Sequence, residues 1–185
     1  MAASAAWAGA YENGPFGFAL QYPAHWRLCP PDPNDIDHGP ILLFDRRNAG
    51  GCTDDTVRAG VDIFAWYNWF GAPSTLRAMF KFECRLTPRA RCRRVPLALK
   101  FGRFRSLGGE LEKADGELVL LVLAQRPPEG TIGPPGVDYF IDLHTDRSHY
   151  LADLARLKRL LKTVRIAPHL VDVFGLTSPS VKSAP

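Results

Sequence analysis

The sequence predicts an α+β fold: one antiparallel sheet of about six or seven strands sandwiched by helices (α-β-α). Three observations carry that prediction. Several stretches alternate apolar and polar residues at a period of two, the mark of half-buried strands. They follow one another through turn-rich, hairpin-like links, as antiparallel neighbours do. Helical spacing occurs in two places only, one mid-chain and one near the C-terminus. The 16 Gly and 16 Pro among 185 residues also favour turns and short strands over a helical bundle. Length and a 46% hydrophobic content suit one domain with a real core. We place that domain at residues 11–168, an unstructured start at 1–10 and a tail at 169–185.

Phe16, Phe18, Leu20 and Tyr22 alternate with small or polar residues, so this stretch is a strand with one buried aromatic face. Pro23 cannot donate to a ladder and ends it. Trp26 then returns a large ring to the same core. Leu28–Asp37 reads as a loop, because Pro30, Pro31 and Pro33 interrupt any ladder. Ile41–Phe44 is a short apolar strand. Val57–Phe70 is a long one, with Val61, Ile63, Ala65 and Tyr67 on one face and Asp62, Phe64, Trp66 and Asn68 on the other. Aromatic residues on both faces imply a central strand covered on two sides.

Pro73-Ser74-Thr75 opens a helix carrying Leu76, Met79 and Phe80, which stops before Pro88. Leu97–Phe101 is a candidate strand. Residues 103–113 and 117–125 form a hairpin around Ala114-Asp115-Gly116. Leu118–Leu123 is apolar throughout, which marks a central, buried strand. Val137, Tyr139, Ile141 and Leu143 alternate again. Residues 147–164 form the second helix, with a stripe of Tyr150, Leu154, Leu157, Leu161 and Val164 widened by Leu151 and Leu160. The two helices should cover opposite faces of the sheet. In the tail, Leu170, Val171, Val173 and Phe174 are the residues suited to dock on the body.

Much chemistry is excluded. There is no phosphate-binding Gly-x-x-x-x-Gly-Lys, no Gly-x-Ser-x-Gly elbow and no His-Glu-x-x-His. No run of about 18 apolar residues is present to span a bilayer. Asp32-Pro-Asn34-Asp35-Ile-Asp37-His38 has the carboxylate density of a calcium loop. However, its fifth position is Ile36 and its sixth is Asp37 where glycine is needed, so it reads as a solvated acidic loop. Asp142, His144 and His149 stand at a strand-to-helix corner and are the one acid–base or metal constellation worth carrying forward. The competing reading is a helix start organised by Thr145 or Asp146. No metal site, cofactor or catalytic residue is assigned.

Charge is the strongest anomaly. Lys81, Arg85, Arg89, Arg91, Arg93, Arg94, Lys100, Arg103 and Arg105 face Glu83 alone between residues 81 and 105, a local net of +8. The remaining chain carries 14 cations and 18 acids, a net of −4, which closes to the overall +4. Such segregation suits docking to an acidic protein partner. Nucleic acid is disfavoured, because the run 87–94 lacks aromatic residues for stacking on bases. We therefore take Arg85, Arg89, Arg91, Arg93, Arg94, Arg103 and Arg105 as candidate partner-binding residues.

Cys29, Cys52, Cys84 and Cys92 form no Cys-x-x-Cys pair. Four cysteines allow three pairings. Cys84 is close enough to Cys92 to staple the intervening loop, and Cys29 with Cys52 is the complement; four reduced thiols in a cytosolic protein are the alternative. Disulfides imply an envelope or secreted setting. The Ala-rich opening lacks the basic and apolar regions of an intact signal peptide. It fits the remainder behind a removed signal, or a plain unstructured start.

Gly17-Phe-Ala-Leu-Gln-Tyr-Pro-Ala-His-Trp26 resembles the opening Phe-x-(Ile/Leu)-x-Tyr-Pro-x-x-Trp of PsbP-like proteins. Tyr139-Phe-Ile-Asp-Leu143 followed by Tyr150–Val164 is similar to that family's last strand and helix. The resemblance implies an α-β-α sandwich around an antiparallel sheet, and a module that acts by binding proteins. Relatives include extrinsic photosystem subunits, a nuclear factor that binds Ran, bacterial envelope lipoproteins and chaperones of type VI secretion effectors. The chain departs from the pattern in its long, cysteine-bearing loops at 28–40 and 84–96.

These observations favour a non-enzymatic binding module of the periplasm or secreted space, such as an immunity protein or inhibitor of a toxin. A metal-dependent hydrolase using Asp142, His144 and His149, and a structural subunit or secretion chaperone of an envelope complex, are the alternatives. If the compartment argument holds, thiol titration of native, unreduced protein finds no free cysteine and reduction releases four; four free thiols before reduction would refute it.

Overall fold

A computed structural model describes residues 7–30, 38–45, 47–48, 52, 57–68, 75–87, 89–128 and 136–170. The acidic loop 31–37, the tail residues Val171, Val173 and Phe174, and the helix-opening Pro73-Ser74 lie outside the described residues. The strands are β1 (Trp7–Asn13), β2 (Phe18–Pro23), β3 (Arg27–Leu28), β4 (Ile41–Leu43), β5 (Gly60–Asn68), β6 (Arg91–Val95), β7 (Lys100–Phe101), β8 (Phe104–Glu112), β9 (Leu118–Arg126), β10 (Gly136–Thr145) and β11 (Arg165–Ile166). The helices are α1 (Leu76–Leu86) and α2 (Tyr150–Leu161). The fold is α+β, as expected, with one enlargement. Eight strands form the main antiparallel sheet, ordered β3-β4-β5-β10-β9-β8-β6 with β7 also on β8, and a second sheet is ordered β1-β2-β11.

The main sheet is buried on both sides at its centre. Leu120 and Val122 of β9 join Ile63, Tyr139, Ile141, Leu154 and Leu157 in the larger core, beneath α2 and the small sheet. Leu121 and Leu123, pointing the other way, join Met79 and Phe80 of α1. The helices therefore lie on opposite faces. Thr75 caps α1 by accepting from the Ala78 amide. The β8–β9 turn is built as Asp-Gly predicts: Gly116 has φ 87°, and the Asp115 carboxylate accepts from the Glu117 amide.

The small sheet is tied down by hydroxyls and one buried cation. Tyr67 and Tyr139 donate to the carbonyls of Pro15 and Phe16 at 2.6 and 2.8 Å. Burial raises the Tyr139 hydroxyl to a pKa of about 12, so it stays a donor. Arg126 is almost wholly buried and donates to the carbonyls of Ala167 and Pro168. Leu170 docks in the core as expected.

Several expectations are corrected. Trp7–Ala10, assigned to the unstructured start, belong to β1, because their amides pair with β2. Residues 91–95 form a strand instead of a loop, and the strand sought at 97–101 shrinks to Lys100–Phe101. Helix α2 begins at Tyr150, three residues later than expected. Leu151, counted in its apolar stripe, is 79% exposed, whereas Asp153 is fully buried. The outer face of β5 is not fully buried: Phe64 and Trp66 are 39% and 47% exposed, and α1 packs mainly on β8 and β9.

Two cross-links complete the fold, Cys29–Cys52 and Cys84–Cys92. The first closes a small apolar cluster with Leu43 and Val57 at the β4 end of the sheet. The second fastens α1 to β6 at the other end. Leu157→Ala, which empties a fully buried position of α2, should cost about 2–5 kcal/mol in urea unfolding. Leu151→Ala on the same helix should change stability by no more than about 0.5 kcal/mol.

Candidate functional site

The cationic segment becomes one edge of the main sheet. Among the described residues β6 is its last strand and pairs only with β8, with Arg91 opposite Glu112, Arg93 opposite Glu110 and Arg94 opposite Gly109. Arg91, Cys92, Arg93 and Arg94 are all exposed. Along the same flank of β8, Lys100 pairs across the β7–β8 hairpin with Arg105, and Arg103 sits in its turn. The Arg103 guanidinium stands 5.5 Å over the Phe104 ring, holding it at the surface. Arg85 lies in the last turn of α1, beside the disulfide that joins α1 to β6. Arg89, in the turn before β6, has φ 68°. All nine cations of the segment are exposed. The structure thus gathers the predicted residues along β6, the β7–β8 hairpin and the end of α1.

Two acids of β8 beside this edge are already engaged. Glu110, largely buried, takes both Nε and Nη2 of Arg93 at 2.8–3.0 Å. Glu112 accepts from Arg147 at 2.5 Å, which holds its carboxyl below the usual range, with Arg91 and Arg93 adding to the effect. A shallow cleft between these groups is lined by Arg91, Cys92, Arg93, Glu110, Glu112 and Arg147. Arg93 is the only one of the nine cations in an ion pair among the described residues, and it is still 69% exposed. The edge therefore presents uncompensated positive charge to solvent.

Among the described residues, His144 and His149 are drawn to separate partners and are not gathered with Asp142 into a metal-holding group. His144 donates from Nδ1 to Glu117 at 2.9 Å in a buried pair that also receives Arg58 and Lys113. His149 is exposed and bonds Asp146, whose carboxylate also accepts the amides of Ser148 and His149. The Ser148 hydroxyl, which also donates to Asp146, and those bonds hold Asp146 down to a pKa of about 2 and organise the start of α2, as the alternative reading expects. Asp142 lies in register with Asp62 of β5. Among the described residues, no group of three His, Cys, Asp or Glu side chains is placed to hold a metal ion.

Two polar constellations escape sequence reasoning. Asp153, buried inside α2, accepts both Nη atoms of Arg47 at 3.0–3.1 Å, Nη1 of Arg156 at 2.7 Å and the Thr145 hydroxyl at 2.7 Å. Asp138, buried on β10 opposite Trp66, accepts the amides of Gln125 and Asn68, yet burial still raises its carboxyl. Above it lie the exposed rings of Phe64 and Trp66, with His38 stacked on both at 4.8 and 5.1 Å. The only sequence signal is the aromatic outer face of β5, Phe64 and Trp66.

No family model matches the chain, and no curated protein matches it. Among solved structures, it is similar to cyanobacterial PsbP from Synechocystis sp. PCC 6803. That match has a TM-score of 0.52 at 8% identity and covers 90% of this chain and 96% of the other. The fold is PsbP-like. LpqN of Mycobacterium tuberculosis is similar as well, with a TM-score of 0.52 at 14% identity, covering 86% of this chain and 90% of LpqN. At such identities the likeness establishes the PsbP-like architecture and leaves the site to this chain's own residues. Among the described residues, no helix of this PsbP-like chain is long and apolar enough to cross a membrane.

The Glu117 cluster yields a pH test. Burial works to raise this carboxyl, but His144 and Lys113 together hold it below its ordinary value. The stability it supplies is therefore complete above the unfolded value, about 4.3, and is lost as pH falls through the lower folded value. Urea midpoints measured from pH 7 to pH 3 should decline more steeply below about pH 4.3 for the parent than for Glu117→Gln. The variant should also lose about 1–3 kcal/mol at pH 7, because Arg58 and His144 keep weaker partners.

Proposed function

We propose that this protein is a non-enzymatic, extracytoplasmic binding module whose basic edge docks an acidic protein surface. The observation that carries the proposal is the exposure of nine cations along β6, the β7–β8 hairpin and α1, only one of them in an ion pair among the described residues. Long-range attraction between such an edge and an acidic partner raises the association rate by about 10- to 1000-fold at low salt. Rapid, steered capture is the property required of an immunity protein or inhibitor that neutralises a secreted toxin or effector, and that is the role we assign.

Three further observations support the setting. Both disulfides suit an oxidising compartment. LpqN, which shares the fold, is involved in cell envelope biogenesis. The residues best suited to acid–base work are committed to structural pairs, His144 with Glu117 and His149 with Asp146. The partner-binding residues are Arg85, Arg89, Arg91, Arg93, Arg94, Arg103 and Arg105.

The test begins with a photo-crosslinking residue at exposed Ala98, between β6 and β7, used to capture the partner from envelope extract. Association rates of that partner are then measured against ionic strength. Arg91→Glu, Arg93→Glu and Arg94→Glu together should slow association by at least about tenfold at low salt and flatten its salt dependence. An unchanged on-rate would exclude the edge as the docking surface.

A further inference from the structure

We infer that the basic edge receives its partner as an added β-strand: an extended acidic segment that pairs with β6 through the backbone and alternates carboxylate and apolar side chains. This inference rests on the proposed docking role of the edge and specifies the shape of what docks there.

The geometry starts from the sheet. β6 is terminal in the strand order and pairs only with β8 among the described residues. In an antiparallel ladder, alternate N–H and C=O groups point to each side of a strand, so the side of β6 away from β8 offers a row of them to a further strand. Among the described residues, the strand at the opposite end of the sheet is shorter, β3 being Arg27–Leu28. Strands rise about 3.4 Å per residue, so the five residues of β6 match a partner segment of about five residues. The Cys84–Cys92 bond fastens β6 to α1 through its face and holds the strand in place while leaving its edge open.

Charge then selects the added strand. On one face of the sheet the cross-strand pairs run Glu112–Arg91 and Glu110–Arg93 from β8 to β6. A carboxylate-bearing strand beyond β6 would extend each row to acid, base, acid, and opposite charges on neighbouring strands attract. Arg93 is suited to bridge two acids. Its Nε and Nη2 engage Glu110, whereas Nη1 takes part in none of those bonds. On the opposite face of β6, Cys92 is committed to the disulfide with Cys84, so an apolar side chain suits the alternate positions of the added strand.

Exposed arginines on a sheet edge also keep out other strands. A neutral or basic segment would have to desolvate or oppose Arg91, Arg93 and Arg94 to pair, whereas an acidic one would neutralise them. The same residues therefore prevent general edge-to-edge aggregation and admit one class of partner.

The experiment titrates the full chain with a fluorescent, end-capped peptide of alternating Glu and Val, seven residues long. It is compared with two versions N-methylated on alternate amides, one for each edge of the peptide, and with a Lys/Val peptide. Binding of the Glu/Val peptide is expected to survive one N-methylation pattern and weaken more than tenfold with the other. Backbone amides of β6 should gain protection from hydrogen exchange. Arg91→Glu with Arg93→Glu should abolish binding while circular dichroism shows the fold intact. Equal binding of all three Glu/Val peptides would overturn strand addition and leave charge-driven docking standing. No binding of the unmethylated peptide, or equal binding of the Lys/Val peptide, would overturn it too. Failure of the docking role itself is read separately, from the captured partner's unchanged on-rate.

Discussion

The structure depends on one constraint, a strand with no face to turn to water. From Leu118 to Ala124, every residue of β9 is apolar and buried. A sheet built around such a strand must be covered twice. Leu120 and Val122 require α2 and the small sheet above them, and Leu121 and Leu123 require α1 below. The neighbours β8 and β10 are long enough to flank β9 along its length, and the shorter strands collect towards the edges. Cover is complete only at the centre. Where α1 ends, β5 shows Phe64 and Trp66 to solvent, and β6 shows arginine.

Charge inside the molecule follows a different rule from charge at its edge. Asp153, Glu117 and Arg126 are buried, and each is held by hydrogen-bond partners. Asp153 has two guanidiniums and a hydroxyl, Glu117 has His144, Arg58 and Lys113, and Arg126 has two carbonyls. Leaving any of them half-satisfied would be costly, because desolvation is not recovered. At the β6 edge the opposite holds: solvent screens the arginines, so they can remain uncompensated at little cost. That contrast separates charge that holds the fold from charge free to meet a partner.

What could be read in the sequence follows the same division. Strands with one buried face declare themselves by period two, and β2, β5 and β10 all did; β9 was legible as an unbroken apolar run, and α1 from Thr75, Met79 and Phe80. β6 was not, because Arg-Cys-Arg-Arg-Val has no apolar face and is a strand only by pairing with β8. β1 was hidden for a similar reason: its Ala and Gly residues carry almost no pattern. The cationic residues were visible as a run of charge, but their alignment along one edge needed the ladder. Buried Asp153 was invisible, since its partner Arg47 lies 106 residues away and no local spacing links them.

The small sheet carries a temporal consequence. β2 pairs with the early strand β1 on one side and with the late strand β11 on the other. Its other ties are equally distant: Tyr139 to Phe16 spans 123 residues, and Thr163 to Gln21 spans 142. A chain made or threaded from its N-terminus must therefore carry Phe16, Phe18 and Leu20 with no lid for most of its emergence. Non-local closure of this kind is slow and leaves sticky intermediates exposed. The last dozen or so residues of the described fold thus act as its clasp, and until Ile166 reaches Phe18 that apolar surface has no cover from β11.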